Sequence, residues 1–194
     1  MNNFRSEPFL WIHLAGAAAV PLLLQIVWLG LAVGDPLSPF WLELLLLGAV
    51  GILPVFWMQW NRPFDIFSLL FVSVKPQALT SQQQSILSLF KSNRERLLAV
   101  IAAVAMTAVL WLLYQYAPLA ASAAAFLPQW RVFGLFIAAI AFLACNLFVQ
   151  VPLSVLGVLL TKEAQLATVN PYPAEQIPQG FIVPGLRVNK ILSL

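Results

Sequence analysis

Four runs in this chain, residues 10–34, 40–60, 97–116 and 132–160, are apolar over lengths for which a soluble fold has no use. At about 1.5 Å of rise per residue, each covers a hydrocarbon layer of about 30 Å and so predicts a membrane-spanning helix. Composition agrees: 61% of the residues are hydrophobic and 9% charged, against about a quarter charged in soluble domains. The expected fold is an all-α integral membrane protein with four transmembrane helices arranged as two hairpins. One membrane domain fills residues 1–160, and residues 161–194, broken by Pro171, Pro173, Pro178 and Pro184, form an extended C-terminal arm with no core of its own. The first run is too long for a signal-peptide core and ends in no small-residue cleavage pattern, so it reads as a retained helix.

Proline and glycine divide the spans internally. Pro21 and Pro54 predict kinks that neighbouring helices satisfy, and Gly48 and Gly51 predict close helix packing. Gly34-Asp35-Pro36 with Ser38-Pro39 is a tight turn between the first two helices. Residues 61–96 then form a polar platform holding Arg62, Lys75, Lys91, Arg94 and Arg96, half of the ten Lys and Arg in the chain. Within it, residues 64–74 are too short to span and predict an interfacial or buried helix, opened by Pro63 and stopped by Lys75-Pro76. Thr80 with Gln83 is a capping box for a helix carrying Ile86, Leu87, Leu89 and Phe90 on one side. No Gly or Pro stops that helix from running on into the third span.

Four crossings bring both termini and the platform to one side. Arg5, the five platform residues, Lys162, Arg187 and Lys190 lie there, against Arg131 alone on the other. That bias assigns the platform and both ends to the cytoplasm and reads as topology signal, not nucleic-acid binding. Trp11, Trp57 and Trp60 fall at the inner interface, and Trp41, Trp111 and Trp130 near the outer one. Trp28 sits deeper than a belt requires.

Few residues carry chemistry. His13, about one turn inside the first span, suits either a hydrogen-bonded interfacial role or ligation of a chlorophyll; a pair of axial histidines is ruled out because there is no second His. Asp35 and Glu43 flank the outer end of the first hairpin, as helix caps or as a proton or cation site. Asn146 and Gln150 lie four apart on the fourth span with Ser154 a turn further on. Together with Gln25 of the first span they predict interhelical hydrogen bonding, or else a substrate path. Cys145 is the lone cysteine, so no intrachain disulfide forms. There is no metal-ligand spacing, no phosphate loop and no nucleophile with a histidine placed to activate it, so no enzyme activity is expected.

Several runs carry a resemblance. Residues 8–16 (Pro-Phe-Leu-Trp-Ile-His-Leu-Ala-Gly), 30–36 (Gly-Leu-Ala-Val-Gly-Asp-Pro), Trp57-Met58-Gln59-Trp60 with Arg62-Pro63-Phe64, and Gln150-Val151-Pro152 through Gly157 resemble a family of cyanobacterial membrane proteins labelled by low-complexity tails. The chain departs from that label in lacking a long biased tail. The resemblance implies a photosynthetic, thylakoid membrane and transfers no activity or site residues. The expected role is a non-enzymatic accessory subunit or assembly factor of a photosystem. Its partner-binding platform would present Arg62, Phe64, Phe67, Lys75, Lys91, Arg94 and Arg96, with chlorophyll or carotenoid as the only cofactors to consider. A small oligomeric transporter or channel is the alternative.

Overall fold

The computed structural model describes residues 4–69 and 71–191. Among the described residues four helices, Pro8–Leu31, Trp41–Asn61, Asn93–Gln115 and Arg131–Leu159, are long and apolar enough to cross a membrane. Their ends fall within four residues of the runs read from the sequence. The first tightens to a narrower helix over Gly16–Ala19, immediately before Pro21, where the proline ring removes an N–H and crowds the preceding turn. Pro152 lies within the unbroken fourth helix. Large side chains such as Leu22, Leu45, Val104 and Phe136 are exposed along these helices. This is the placement a lipid-facing surface requires, since hydrocarbon does not penalise it.

The chain forms two compact units, and each of the four helices contributes a segment to both. One unit comprises Gly16–Phe56 and Val100–Gln150. Its core gathers Val27, Leu31, Leu47, Met106, Leu110, Ala138 and Phe142. The first and fourth helices meet backbone to backbone here: a Cβ on Gly30 would lie 2.8 Å from the Gly134 carbonyl oxygen and 3.0 Å from the Ala138 nitrogen. Gly51 packs against the Phe142 ring, while Gly48 faces open space. Trp28 is explained by its indole N–H, which donates to the Tyr116 carbonyl at 2.8 Å.

The other unit holds the chain up to Ala15, Trp57–Ala99 and the chain from Val151. Phe9, Leu10, Ile66, Phe67, Ile86, Leu87, Val155, Ile177 and Phe181 share its core. Three readings of the sequence are corrected in this unit. Residues 64–74 are not a helix. They contain strand β1 (Ser68–Leu69) and strand β2 (Val72–Val74), paired antiparallel, and β2 pairs in parallel with β3 (Leu186–Val188) from the tail. Asp65 explains the change locally. Its Oδ1 accepts from the Phe67 N–H at 3.0 Å, an Asx turn that competes with helix, and Val-Ser-Val then suits a pleated surface.

The tail is not an extended arm. It forms a helix at Glu163–Thr168 and a short turn of helix at Ile177–Gly180. Ile177 and Phe181, four apart and so on one side of that turn, are both fully buried. The Tyr172 N–H donates to the Gln84 carbonyl at 3.1 Å, and the Ser88 hydroxyl to the Asn170 carbonyl at 2.8 Å. The platform helix Ser81–Phe90 does open on the Thr80–Gln83 capping box. It does not continue into the third long helix. Ser92 accepts from the Glu95 N–H at 3.4 Å and starts a new helix at Asn93, a side-chain cap favoured at that position.

Candidate functional site

Glu43 is the third residue of its helix and only 1% exposed, and Arg131, the first residue of the fourth long helix, is 8% exposed. They form a buried salt bridge. Arg131 Nε donates to Glu43 Oε1 at 2.7 Å, and Nη2 donates to Oε2, a bidentate fork. Nη1 donates to the carbonyls of Leu31 at 2.7 Å and Val33 at 3.0 Å. Leu31 is the last residue of the first long helix, so its carbonyl has no partner inside the helix and lies at the negative dipole end, and Val33 follows in the turn beyond. Oε1 also accepts from the Leu37 N–H at 2.7 Å, and Oε2 from the Tyr114 hydroxyl at 2.9 Å. The carboxylate thus fills all four of its acceptor positions. One ion pair joins the end of the first helix, the start of the second, the end of the third and the start of the fourth.

Beside this pair lies a cavity of about 540 Å³, lined among others by Asp35, Phe40, Trp111, Tyr114, Gln115 and Arg131. Its walls mix aromatic side chains with a few polar groups. In the sequence Glu43 stands at a membrane edge and Arg131 is the exception to the charge bias, and nothing local joins the two. The signal was present. An acid set slightly inside one span needs a partner, and Arg131 is the one basic residue expected at the same end.

The other expected residues fall as follows. His13 Nδ1 is 2.8 Å from the Phe9 carbonyl oxygen, which makes Nδ1 the protonated nitrogen and leaves the Nε2 lone pair as the side available to a ligand. Its ring sits 5.8 Å from that of Phe64. Asn146 and Gln150 are buried, but Asn146 Nδ2 donates within its own helix to the Phe142 carbonyl at 2.9 Å, and Gln25 is exposed. The structure does not bring Gln25 to them. Asn146 Oδ1 and both polar atoms of the Gln150 amide have no hydrogen-bond partner. Of the platform residues, Phe67 lies wholly in the core, edge-on to Phe9 at 5.5 Å, and offers no surface. Arg62, Lys75, Arg94 and Arg96 are exposed, and Phe64 and Lys91 are half-buried.

Two further acids are buried, and Asp65, expected from its place in the sequence to pair locally with Arg62, does not: Arg62 donates to the Pro178 and Phe181 carbonyls instead. Glu95, on the third helix, fills the space that a side chain at Gly157 would need, and its Oε2 is unpartnered. Asp65 is buried with Oδ2 unpartnered, and desolvation pushes its carboxyl up to about 6 against the pull of the Phe67 N–H. Among the described residues no group of three or more His, Cys, Asp or Glu gathers to hold a metal ion.

Apolar side chains turned outward, with an ion pair and amides turned inward, define an integral membrane protein built on four long helices. The chain belongs to the low-complexity tail membrane protein-like family, whose model matches residues 6–193. No curated protein and no solved structure matches it.

Proposed function

We propose that this protein is a non-enzymatic accessory subunit or assembly factor of a photosynthetic complex in a thylakoid membrane, threading the bilayer as two hairpins with its platform, tail and both ends in the cytoplasm. The compartment follows from the family resemblance, and the orientation from the clustering of Lys and Arg. One observation carries the docking role. Phe71, 77% exposed, and Leu186, 75% exposed, are linked through the backbone where the tail joins the platform sheet, with the Leu186 N–H donating to the Phe71 carbonyl at 2.7 Å. Gly185, at φ +66°, takes the left-handed conformation that this close approach needs. Large apolar side chains exposed on both sides of the junction between tail and platform mark an interaction surface. The partner is a larger membrane protein complex.

Mild-detergent purification followed by native electrophoresis tests this. Migration within a larger complex, lost on Phe71→Ser with Leu186→Ser, is the expected result, and migration only as a free small protein defeats the proposal. The alternative, a small oligomeric transporter or channel, draws support from the unpartnered buried amides of Asn146 and Gln150. Solute flux into liposomes that disappears on Asn146→Leu with Gln150→Leu would decide for it.

A further inference from the structure

Where the second long helix ends, Trp60 and Asn61 each hold a cation from further along the chain, and Arg62 adds a third. The Arg96 guanidinium stacks over the Trp60 ring at 5.6 Å. Lys91 Nζ donates to the Asn61 carbonyl at 2.9 Å and stands 5.3 Å from the centre of the Phe181 ring. Arg62 reaches the same place from its own side, its Nη2 donating to the carbonyls of Pro178 at 2.7 Å and Phe181 at 3.1 Å. Arg62 therefore spends one nitrogen and Lys91 one proton on protein acceptors, leaving the other donors of each available. Among the described residues no carboxylate pairs with any of the three. Like charges held together without a counter-ion repel, and their arrangement is stable when an anion sits between them.

We propose that Arg62, Lys91 and Arg96 form a binding site for a phosphate group, carried by an anionic lipid headgroup or by a free phosphate ion. Two features favour this ligand. The Lys91 ammonium is pushed below its usual range, first by burial and then by the fields of Arg96 and Arg62, and a bound anion relieves both the desolvation and the repulsion. The third long helix also opens at Asn93, between Lys91 and Arg96, so its positive dipole end adds to the same potential. The site lies where one long apolar helix ends and the next begins, beside a half-exposed Trp60. Lipid headgroups lie at that level, and basic clusters there recognise anionic ones. The inference is independent of which complex the protein joins.

The test uses the full-length protein, delipidated in a neutral detergent. Dioleoylphosphatidylglycerol and dioleoylphosphatidylcholine are titrated separately and bound lipid is counted by native mass spectrometry. In parallel, the thermal midpoint is measured in inorganic phosphate and in sodium chloride at equal ionic strength. The expected result is a strong preference for the glycerol lipid that weakens about thirtyfold in Lys91→Gln with Arg96→Gln, and that persists in the charge-conserving Lys91→Arg with Arg96→Lys. A lipid preference without a phosphate effect identifies the headgroup as the ligand. A phosphate-dependent rise in midpoint, lost in the Gln variant, identifies a soluble anion. Equal uptake of the two lipids by the native protein together with no phosphate effect overturns the site, as does a folded Gln variant with unchanged preference. If the Gln variant fails to fold, the comparison of lipids and of salts on the native protein still decides.

Discussion

Arg131 and Glu43, 88 positions apart in the chain, close a bidentate ion pair that water does not reach. Pairing two buried charges contributes little net stability, because desolvation opposes the attraction, but stranding one of them is expensive. Arg131→Met alone should therefore destabilise the protein by about 3–5 kcal/mol, and Glu43→Leu alone by a similar amount. The double variant should recover most of that loss, and unfolding midpoints in detergent across the four proteins measure the coupling. Additive losses would show that the two side chains act independently.

Asp65 gives the folded protein a pH dependence of definite sign. Its carboxyl is raised from 3.8 to about 6 by burial. The native state thus holds the proton more tightly than the unfolded chain, and the associated stability is present below pH 3.8 and lost as pH rises through 6. The interval corresponds to about 3 kcal/mol. Asp65→Asn keeps the oxygen that receives the Phe67 N–H but does not titrate. Subtracting its stability profile from that of the native protein should leave a single fall centred between pH 4 and 6, and a flat difference would show that Asp65 reaches water.

The four long helices were legible because length and hydropathy alone separate a spanning helix from other structure, and no distant residue alters that balance. The capping box at Thr80 was legible for a related reason: its partners are three residues apart. Ser92 with Glu95 has the same spacing, but the apolar continuity into the third span masks the break that it makes. The strand pair at 64–74 depends on β3, more than a hundred residues onward, and no local pattern names that partner. Arg131 and Glu43 are distant in the same way. Each was visible as an ionisable residue in an unusual place, and only the fold supplies the other.

Gly30 and Gly48 should respond oppositely to the same added methyl. At Gly30 the new Cβ meets backbone, the Gly134 oxygen at 2.8 Å and the Ala138 nitrogen at 3.0 Å, and neither can turn aside as a flexible side chain would. Gly30→Ala should force the first and fourth helices apart and cost about 1–3 kcal/mol. Gly48 has nothing within 4 Å, so Gly48→Ala should be neutral or stabilise by up to about 1 kcal/mol through helix propensity. Melting temperatures of the two variants against the native protein check the contrast.

Gln150 is the sharpest test of the fourth helix. Its amide is 1% exposed and neither of its polar atoms has a partner. A buried amide without hydrogen bonds costs about 1–3 kcal/mol, and an apolar side chain of similar volume in its place removes that cost. Gln150→Leu should therefore leave the unfolding midpoint unchanged or raise it, while Phe142→Ala, which empties a fully buried ring from the same helix, should lower stability by about 3–5 kcal/mol. A marked loss on Gln150→Leu would mean that the amide holds a bound water or solute in the native state. In that case the flux measurement on Asn146→Leu with Gln150→Leu should show the same dependence, because the group that stabilises the fold would also line the path.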